Sequence, residues 1–137
     1  MVSVHEPVGA DVLHGMSVLA LAHVGDGVYE LLVRTHLARQ GWGKVADLHR
    51  ATVAHVAAPF QAAAMERLLA HLTAEEHKVY HRGRNARVHG CPSGCTIAQY
   101  HAATALEALF GHLWLTGQHR RVEELFAVIM EDEENAS

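Results

Sequence analysis

The apolar positions of this chain recur at the three- and four-residue spacing of a helix. Within Ala102–Leu115, for example, Leu106, Leu109, Phe110 and Leu113 fall on one helical stripe. No stretch alternates apolar and polar residues in the manner of a half-buried strand. The pattern therefore predicts an all-α fold.

Start and stop signals divide this pattern into six helices. Thr73-Ala-Glu-Glu76 and Thr96-Ile-Ala-Gln99 are capping boxes, in which the side chains of the first and fourth residues bond reciprocally to the backbone. Gly41 and Gly117 are positioned to end helices. The predicted helices cover residues 17–39, 44–57, 59–71, 73–82, 96–115 and 118–130, with a loop over 83–95.

Length and composition favour one folded domain. The chain has 137 residues, of which 50% are apolar, which is enough to build a core and unlike a disordered chain. We see no internal repeat or linker, so we predict a domain over residues 1–130 and a disordered acidic tail over 131–137. No apolar stretch reaches the ~18 residues of a membrane span, and the first residues lack signal-peptide features. Without such segments, a cytoplasmic location is the expected default. Two cysteines are too few for a disulfide framework.

The formal net charge of −4 conceals an uneven distribution. Residues 131–137 supply all of the excess negative charge, whereas residues 12–122 carry seven acids against eleven Lys and Arg. Between His77 and Leu106 there are four basic residues and no acid. This segment is compatible with phosphate binding and equally with a solvated basic loop.

Two carboxylates stand inside strongly apolar helical stretches. Asp26 lies within Leu19–Val33, and Glu107 lies within Ala102–Leu115. A buried, unpaired charge costs several kcal/mol, so each acid needs a cation, a base or an open cleft. Ion pairs with arginines and a shared functional site are both open at this stage.

Small residues surround both acids. Gly25 and Gly27 flank Asp26, and Gly111 follows Glu107 by one helical turn. A glycine inside a helix costs about 1 kcal/mol relative to alanine. Gly25 and Gly27 therefore indicate that a backbone or a ligand approaches closely beside Asp26, whereas the small residues beside Glu107 leave room for a bulky group.

The 13 histidines and two cysteines do not form a recognisable metal motif. The histidines are dispersed, without the paired spacing of zinc proteases or the clustering of a metal-storage module. Cys91-Pro-Ser-Gly-Cys95 has the spacing of half a zinc site, which His89 and His101 could complete. Ordinary loop cysteines are the simpler interpretation.

Four segments resemble a known family. Val24-Gly-Asp-Gly-Val-Tyr-Glu30 resembles the signature of the ribonuclease III catalytic domain, and the segment 104–115, TALEALFGHLWL, resembles its second catalytic segment. Asp47-Leu-His-Arg50 and Arg82-Gly-Arg-Asn-Ala-Arg87 lie between them in the expected order. Together they resemble Mini-ribonuclease III, the short bacterial branch without a double-stranded-RNA-binding domain.

The resemblance implies a single ribonuclease III-type domain that forms a helical homodimer. It implies a magnesium-dependent endoribonuclease that cuts double-stranded RNA and leaves 5′-phosphate and 3′-hydroxyl ends, with Mn²⁺ able to replace Mg²⁺. The substrate implied by this branch is the precursor of large-subunit (23S) ribosomal RNA. Asp26 and Glu107 match the essential aspartate and glutamate of the family, which makes them the expected catalytic and metal-binding residues.

The chain departs from larger ribonuclease III enzymes at two positions. Those enzymes have further carboxylates where this sequence has Ala22 and Thr104, a reduction shared by the short branch. Glu30 and, through a water molecule, Thr104 are the remaining candidates for the metal shell. The alternative for Glu30 is an ion pair with Arg34, one helical turn away.

A-form RNA is bound mostly through phosphates and 2′-hydroxyls, by shape rather than sequence. The best candidates for this contact are Arg82, Arg84, Asn85 and Arg87, which we expect on a loop that follows a groove. A second candidate group comprises Lys44, His49 and Arg50.

Two other functions are weighed against this one. A catalytically weak RNA-binding scaffold of the same fold is disfavoured because Asp26 and Glu107 are both present. An all-α nucleotide pyrophosphohydrolase would carry Glu-x-x-Glu clusters in its core helices, whereas the acid pairs here are at predicted surface positions.

Overall fold

The computed structural model describes residues 2–41, 43–88 and 90–136, the last five of these without their side chains. Over these ranges the chain is helical and contains no strand, which confirms the all-α prediction. The elements are α1 (Ala10–Gly15), α2 (Val18–Arg39), α3 (Val45–Val56), α4 (Ala58–Leu68), a 3₁₀ turn (Leu69–His71), α5 (Ala74–Arg84), α6 (Ile97–Leu115) and α7 (His119–Ala136). None of the helices described is long and apolar enough to cross a membrane.

Helix α6 is the centre of the molecule. It is apolar around most of its circumference, as expected of a helix surrounded by protein, and it packs against α2, α4, α5 and α7. Leu106, Leu109 and Phe110 are fully buried, and the ring of Phe110 meets Tyr29 of α2 edge to face. The neighbouring helices therefore fix the positions of the α6 side chains from several sides.

The helices α2 and α6 cross with their backbones in contact. A Cβ atom added at Gly25 would lie 1.6 Å from the carbonyl oxygen of Glu107, and one added at Gly111 would lie 1.9 Å from that of Leu21. Gly27, in contrast, has open space around it. The close approach expected at Gly25 is thus a helix crossing that lies beside both acids, and Gly111 belongs to the same crossing; the approach expected at Gly27 is absent among the described residues.

Local capping determines where several helices begin. Thr73 and Thr96 each accept a hydrogen bond from the backbone three residues on, and both reciprocal bonds of each capping box are formed. These two predicted starts are confirmed. The short helix α1 was not predicted; it has no buried residue, so no hydrophobic stripe marks it.

The predicted loop over residues 83–95 begins too early. Helix α5 continues through Gly83 to Arg84, because Gly83 packs against α6: a Cβ there would lie 2.6 Å from the Cα of Ala105. The glycine permits close helix packing here rather than ending the helix. Arg82 and Arg84 are therefore helical residues, not loop residues.

The acidic segment also differs from expectation. We predicted that the last helix ends at Met130 and that residues 131–137 are disordered; in the structure α7 continues through Ala136. Ser137 lies outside the described residues.

A buried ion pair fastens α5 to α7. Arg121 donates to both carboxylate oxygens of Glu76 at 2.8 and 2.9 Å and to the His71 carbonyl at 2.6 Å. Burial is the largest single effect and raises the pKa of Glu76, but the hydrogen bonds and charge of Arg121 together with the hydrogen bonds from Thr73 hold the pKa below its ordinary value. This contact fixes the start of α5 against the C-terminal helix.

Candidate active site

The structure brings Asp26 and Glu107 together at the crossing of α2 and α6. Asp26 follows Gly25, which contacts the backbone of Glu107 itself. The Asp26 side chain approaches the Glu107 carboxyl group closely enough to act on it through a hydrogen bond. Asp26 is exposed, whereas Glu107 is half-buried. Two acids far apart in the sequence thus form one pair at the edge of the core.

This environment favours the neutral form of Glu107. Burial, followed by the hydrogen bond and the negative charge of Asp26, raises its pKa to about 8. Two carboxylates at one site cannot both ionise cheaply, so one retains a proton unless a cation is present. A cation at this pair would remove the cost of ionising both groups.

Gln61 completes the surroundings of Glu107, and nothing in our reading of the sequence pointed to it. Its side chain, on α4, is 2% exposed. The amide opposes the other effects and favours the charged form of Glu107, while its Nε2 atom has no hydrogen-bond partner of ordinary geometry among the described residues. The one sequence signal was a glutamine within the apolar stretch of α4.

A cavity of about 450 Å³ opens beside Glu107. It is bounded by Gln61, Tyr100, the junction of α3 and α4, and the loop residues 92–95. Glu107 therefore faces Asp26 and solvent-accessible space large enough for a phosphate group and water.

The two subsidiary candidates are engaged in local contacts. The Glu30 carboxylate forms an ion pair with Arg34 at 3.2 Å, both side chains being substantially exposed. The buried Thr104 hydroxyl donates to the Tyr100 carbonyl oxygen at 3.0 Å. The alternative of an ion pair for Glu30 is the one the structure contains.

The donor set fits a hard divalent cation. Among the described residues no three His, Cys, Asp or Glu side chains gather at one point, so this site offers two carboxylates. Mg²⁺ is commonly held by one or two carboxylates and retains several waters. The raised pKa of Glu107 is consistent with such a site, because a cation would stabilise the charged form that burial disfavours.

The two basic groups lie on different helices. Arg82, Asn85 and Arg87 are exposed at and just beyond the C-terminal end of α5, and the half-buried Arg84 borders a separate cavity with Glu66 and Tyr80. The second group is at the start of α3.

In that group Lys44 caps α3 without a side-chain bond, His49 is exposed, and Arg50 pairs with Asp47 one turn earlier. The zinc alternative for Cys91 and Cys95 depended partly on His89, which lies outside the described residues.

Comparison with known proteins assigns the chain to a family. Residues 19–118 match the ribonuclease III domain. The Mini-ribonuclease 3 of Symbiobacterium thermophilum is 45% identical over 107 residues, which cover 78% of this chain and 82% of that protein. The Mini-ribonuclease 3 of Enterococcus faecalis is 44% identical over 109 residues, covering 78% and 83% of the two chains.

The fold has a solved counterpart. A crystal structure of a protein from Fusobacterium nucleatum superposes with a TM-score of 0.80 at 26% identity, covering 88% of this chain and 97% of that one. The matched domain includes both Asp26 and Glu107. From the domain match and these relatives together, we conclude that the chain belongs to the ribonuclease III family of RNA endonucleases, in the branch of the Mini-ribonuclease 3 proteins.

Proposed function

We propose that this chain is a metal-dependent endoribonuclease that hydrolyses phosphodiester bonds of double-stranded RNA. The observation that carries the proposal is the pairing of Asp26 and Glu107 at the α2–α6 crossing, where the pKa of Glu107 is raised to about 8. Such a pair is matched to a divalent cation and a phosphate rather than to a neutral ligand.

Asp26 and Glu107 would hold Mg²⁺, or Mn²⁺ in its place, with waters filling the remaining positions. When bound, the ion supplies charge that polarises a phosphate oxygen and lowers the pKa of a water molecule. Glu107 gives up its proton on binding, and Gln61 favours this charged form. Thr104 sits one turn before Glu107 and can contact a bound water through its oxygen.

Glu30 has a different role in this proposal. Its ion pair with Arg34 holds a guanidinium on the exposed face of α2 that also carries Asp26. A ligand role for Glu30 would require this pair to separate.

The basic end of α5 is proposed to bind the RNA backbone. Arg82, Asn85 and Arg87 are exposed there, and the two arginines place positive charge where a helix C-terminus carries partial negative charge. Such phosphate contacts bind a duplex independently of its sequence. Lys44, His49 and Arg50 form the second proposed contact.

Two copies of the chain are proposed to act together, one on each strand of the duplex. The natural substrate proposed is the precursor of 23S ribosomal RNA, processed in the cytoplasm. A sedimentation mass of a single chain at micromolar concentration would contradict the dimer.

The proposal is tested by incubating the protein with long duplex RNA, single-stranded RNA and duplex DNA, with Mg²⁺ or with EDTA. We expect Mg²⁺-dependent cleavage of duplex RNA alone. Asp26→Asn and Glu107→Gln should each lower the rate by at least about a hundredfold, because each loses a charge that the metal requires. Glu30→Gln is the matched control and should retain most activity.

Two outcomes would overturn this function. Equal cleavage of single strands would exclude a double-strand-specific enzyme. Binding of duplex RNA without any Mg²⁺-dependent cleavage would favour the alternative of a catalytically weak scaffold.

A further inference from the structure

The loop between α5 and α6 contains two thiols in contact. The Sγ atoms of Cys91 and Cys95 lie 3.2 Å apart, and both cysteines are free. A disulfide bond is about 2.04 Å long, so bond formation needs a movement of about 1.2 Å. The loop thus already holds the two sulfur atoms near bonding distance.

The loop conformation makes this approach possible. Gly94 has φ +95°, a left-handed conformation that side chains rarely adopt, and it turns the chain back toward Cys91. Both Sγ atoms point toward the Pro92 carbonyl oxygen, at 3.6 Å from Cys91 and 3.5 Å from Cys95. In the reduced turn the two side chains are held by weak thiol hydrogen bonds.

The thiols are accessible and contact each other through a hydrogen bond. Both cysteines are partly exposed, so a small oxidant can reach them. The hydrogen bond with Cys91 raises the pKa of the Cys95 thiol, since the neutral thiol is the form that can donate it.

The same loop borders the proposed catalytic site. Residues 92–95 form one wall of the cavity of about 450 Å³ that Gln61 and Glu107 also line. A change in the stiffness of this loop acts directly on the space beside Glu107.

We propose that Cys91 and Cys95 form a reversible intramolecular disulfide that slows RNA cleavage by fixing the loop against the Glu107 cavity. The inhibitory part of this inference rests on the proposed function. In proteins of reducing compartments, such disulfides are typically transient and redox-sensing.

The oxidant proposed is a low-molecular-weight disulfide. One cysteine, as its thiolate, attacks a sulfur of this disulfide, forming a mixed disulfide and releasing one small thiolate, which takes up the proton that the cysteine lost. The second cysteine, having also lost its proton, then displaces the other small thiolate and closes the ring. The protein loses two hydrogen atoms, and one small disulfide becomes two small thiols.

Closure restricts the loop because it replaces weak hydrogen bonds with a covalent bond across five residues. In the oxidised protein, a phosphate and its waters then enter the cavity beside Glu107 next to a loop that cannot move to accommodate them. Since small displacements at a reacting site cost large factors in rate, we expect cleavage to fall by about tenfold or more.

The experiment compares the full chain after treatment with oxidised glutathione and after reduction with dithiothreitol. Intact-mass spectrometry should show the loss of two hydrogen atoms on oxidation, with no glutathione retained. Cleavage of duplex RNA with Mg²⁺ should fall on oxidation and recover on reduction. The matched control is Cys91→Ser with Cys95→Ser: it has no thiol left to oxidise, so its cleavage rate should be the same after either treatment.

Three results would overturn the inference. These are the absence of a bridged species, a stable glutathione adduct in place of the bridge, and a bridged protein that cleaves as fast as the reduced one. Failure of the proposed function is distinguishable, because reduced wild-type protein would then not cleave duplex RNA although the mass measurement still detects the bridge.

Discussion

At the scale of single residues, Glu107 links the stability of the fold to the chemistry of the site. Burial and the neighbouring Asp26 raise its pKa from 4.5 to about 8. The folded protein therefore binds this proton more tightly than the unfolded chain does. A divalent cation would reverse the preference, because it stabilises the carboxylate.

In the absence of divalent cations, this difference predicts that the free energy of unfolding decreases as the pH rises. The stability contributed by Glu107 is fully present below about pH 4.5 and is lost as the pH rises toward about 8, since only the unfolded chain ionises freely there. Glu107→Gln remains neutral throughout and should lack this loss. Urea denaturation in EDTA at several pH values would measure it, and identical pH profiles for wild type and variant would contradict the assignment.

Gln61 acts on the site through Glu107. Replacing it with leucine removes a buried amide nitrogen that has no hydrogen-bond partner of ordinary geometry among the described residues. We expect Gln61→Leu to keep the melting temperature within a few degrees of the wild type and to weaken Mn²⁺ binding about tenfold or more, because the amide favours the charged form of Glu107. Titration with Mn²⁺ followed by electron paramagnetic resonance measures this affinity. Wild-type affinity in the variant would exclude a positioning role.

At the scale of elements, the site depends on the contact of α2 with α6. Both glycines of this contact stand where any side chain would collide with the backbone of the other helix. The pairing of the two acids is consequently a property of the crossing.

Gly25→Ala and Gly27→Ala form a matched pair that tests the crossing. Alanine at position 25 collides with the Glu107 carbonyl, so we expect a loss of about 2 kcal/mol or more in the free energy of unfolding and a loss of cleavage. Alanine at position 27 meets nothing within 4 Å and should be neutral or stabilising by up to about 1 kcal/mol. Equal effects of the two substitutions would show that the backbones do not touch.

At the scale of the whole molecule, the distribution of charge matters more than its sum. The formal net charge is −4, yet the acids of residues 131–134 account for it, and they follow the last buried turn of α7. The basic end of α5 stands apart from them in the sequence, within a segment that contains no acid. An acidic protein can therefore still offer a basic surface to RNA.

Salt dependence tests this surface. Each phosphate contact contributes about 0.9 to the slope of log affinity against log salt for B-DNA and about 0.7 for single strands. Arg82→Ala with Arg87→Ala removes two exposed charges and should therefore reduce the slope for duplex RNA by about 1.5. Arg39→Ala with Arg120→Ala removes the same charge from exposed positions elsewhere and should change the slope less. Filter binding at several salt concentrations, in Ca²⁺ or EDTA to prevent cleavage, measures both. An unchanged slope in the α5 double variant would show that the RNA contact lies elsewhere on the protein.

Much of this protein follows from the sequence because the interactions concerned span only three or four residues. The capping boxes at Thr73 and Thr96, the helical stripe of α6 and the Glu30–Arg34 pair are of this kind. The family could be identified from short motifs in order, and Asp26 and Glu107 stood out as charges in apolar surroundings.

Only the tertiary structure decided which distant residues meet. Gly83 carries the local signal of a helix end, yet its packing against Ala105 keeps it inside α5. Gln61 and the Cys91–Cys95 loop meet Glu107 across one cavity although they belong to separate parts of the chain. The physical reason is the range of the forces involved: capping and helical periodicity act within one turn, whereas burial, backbone contact and a raised pKa arise only when remote segments are brought together.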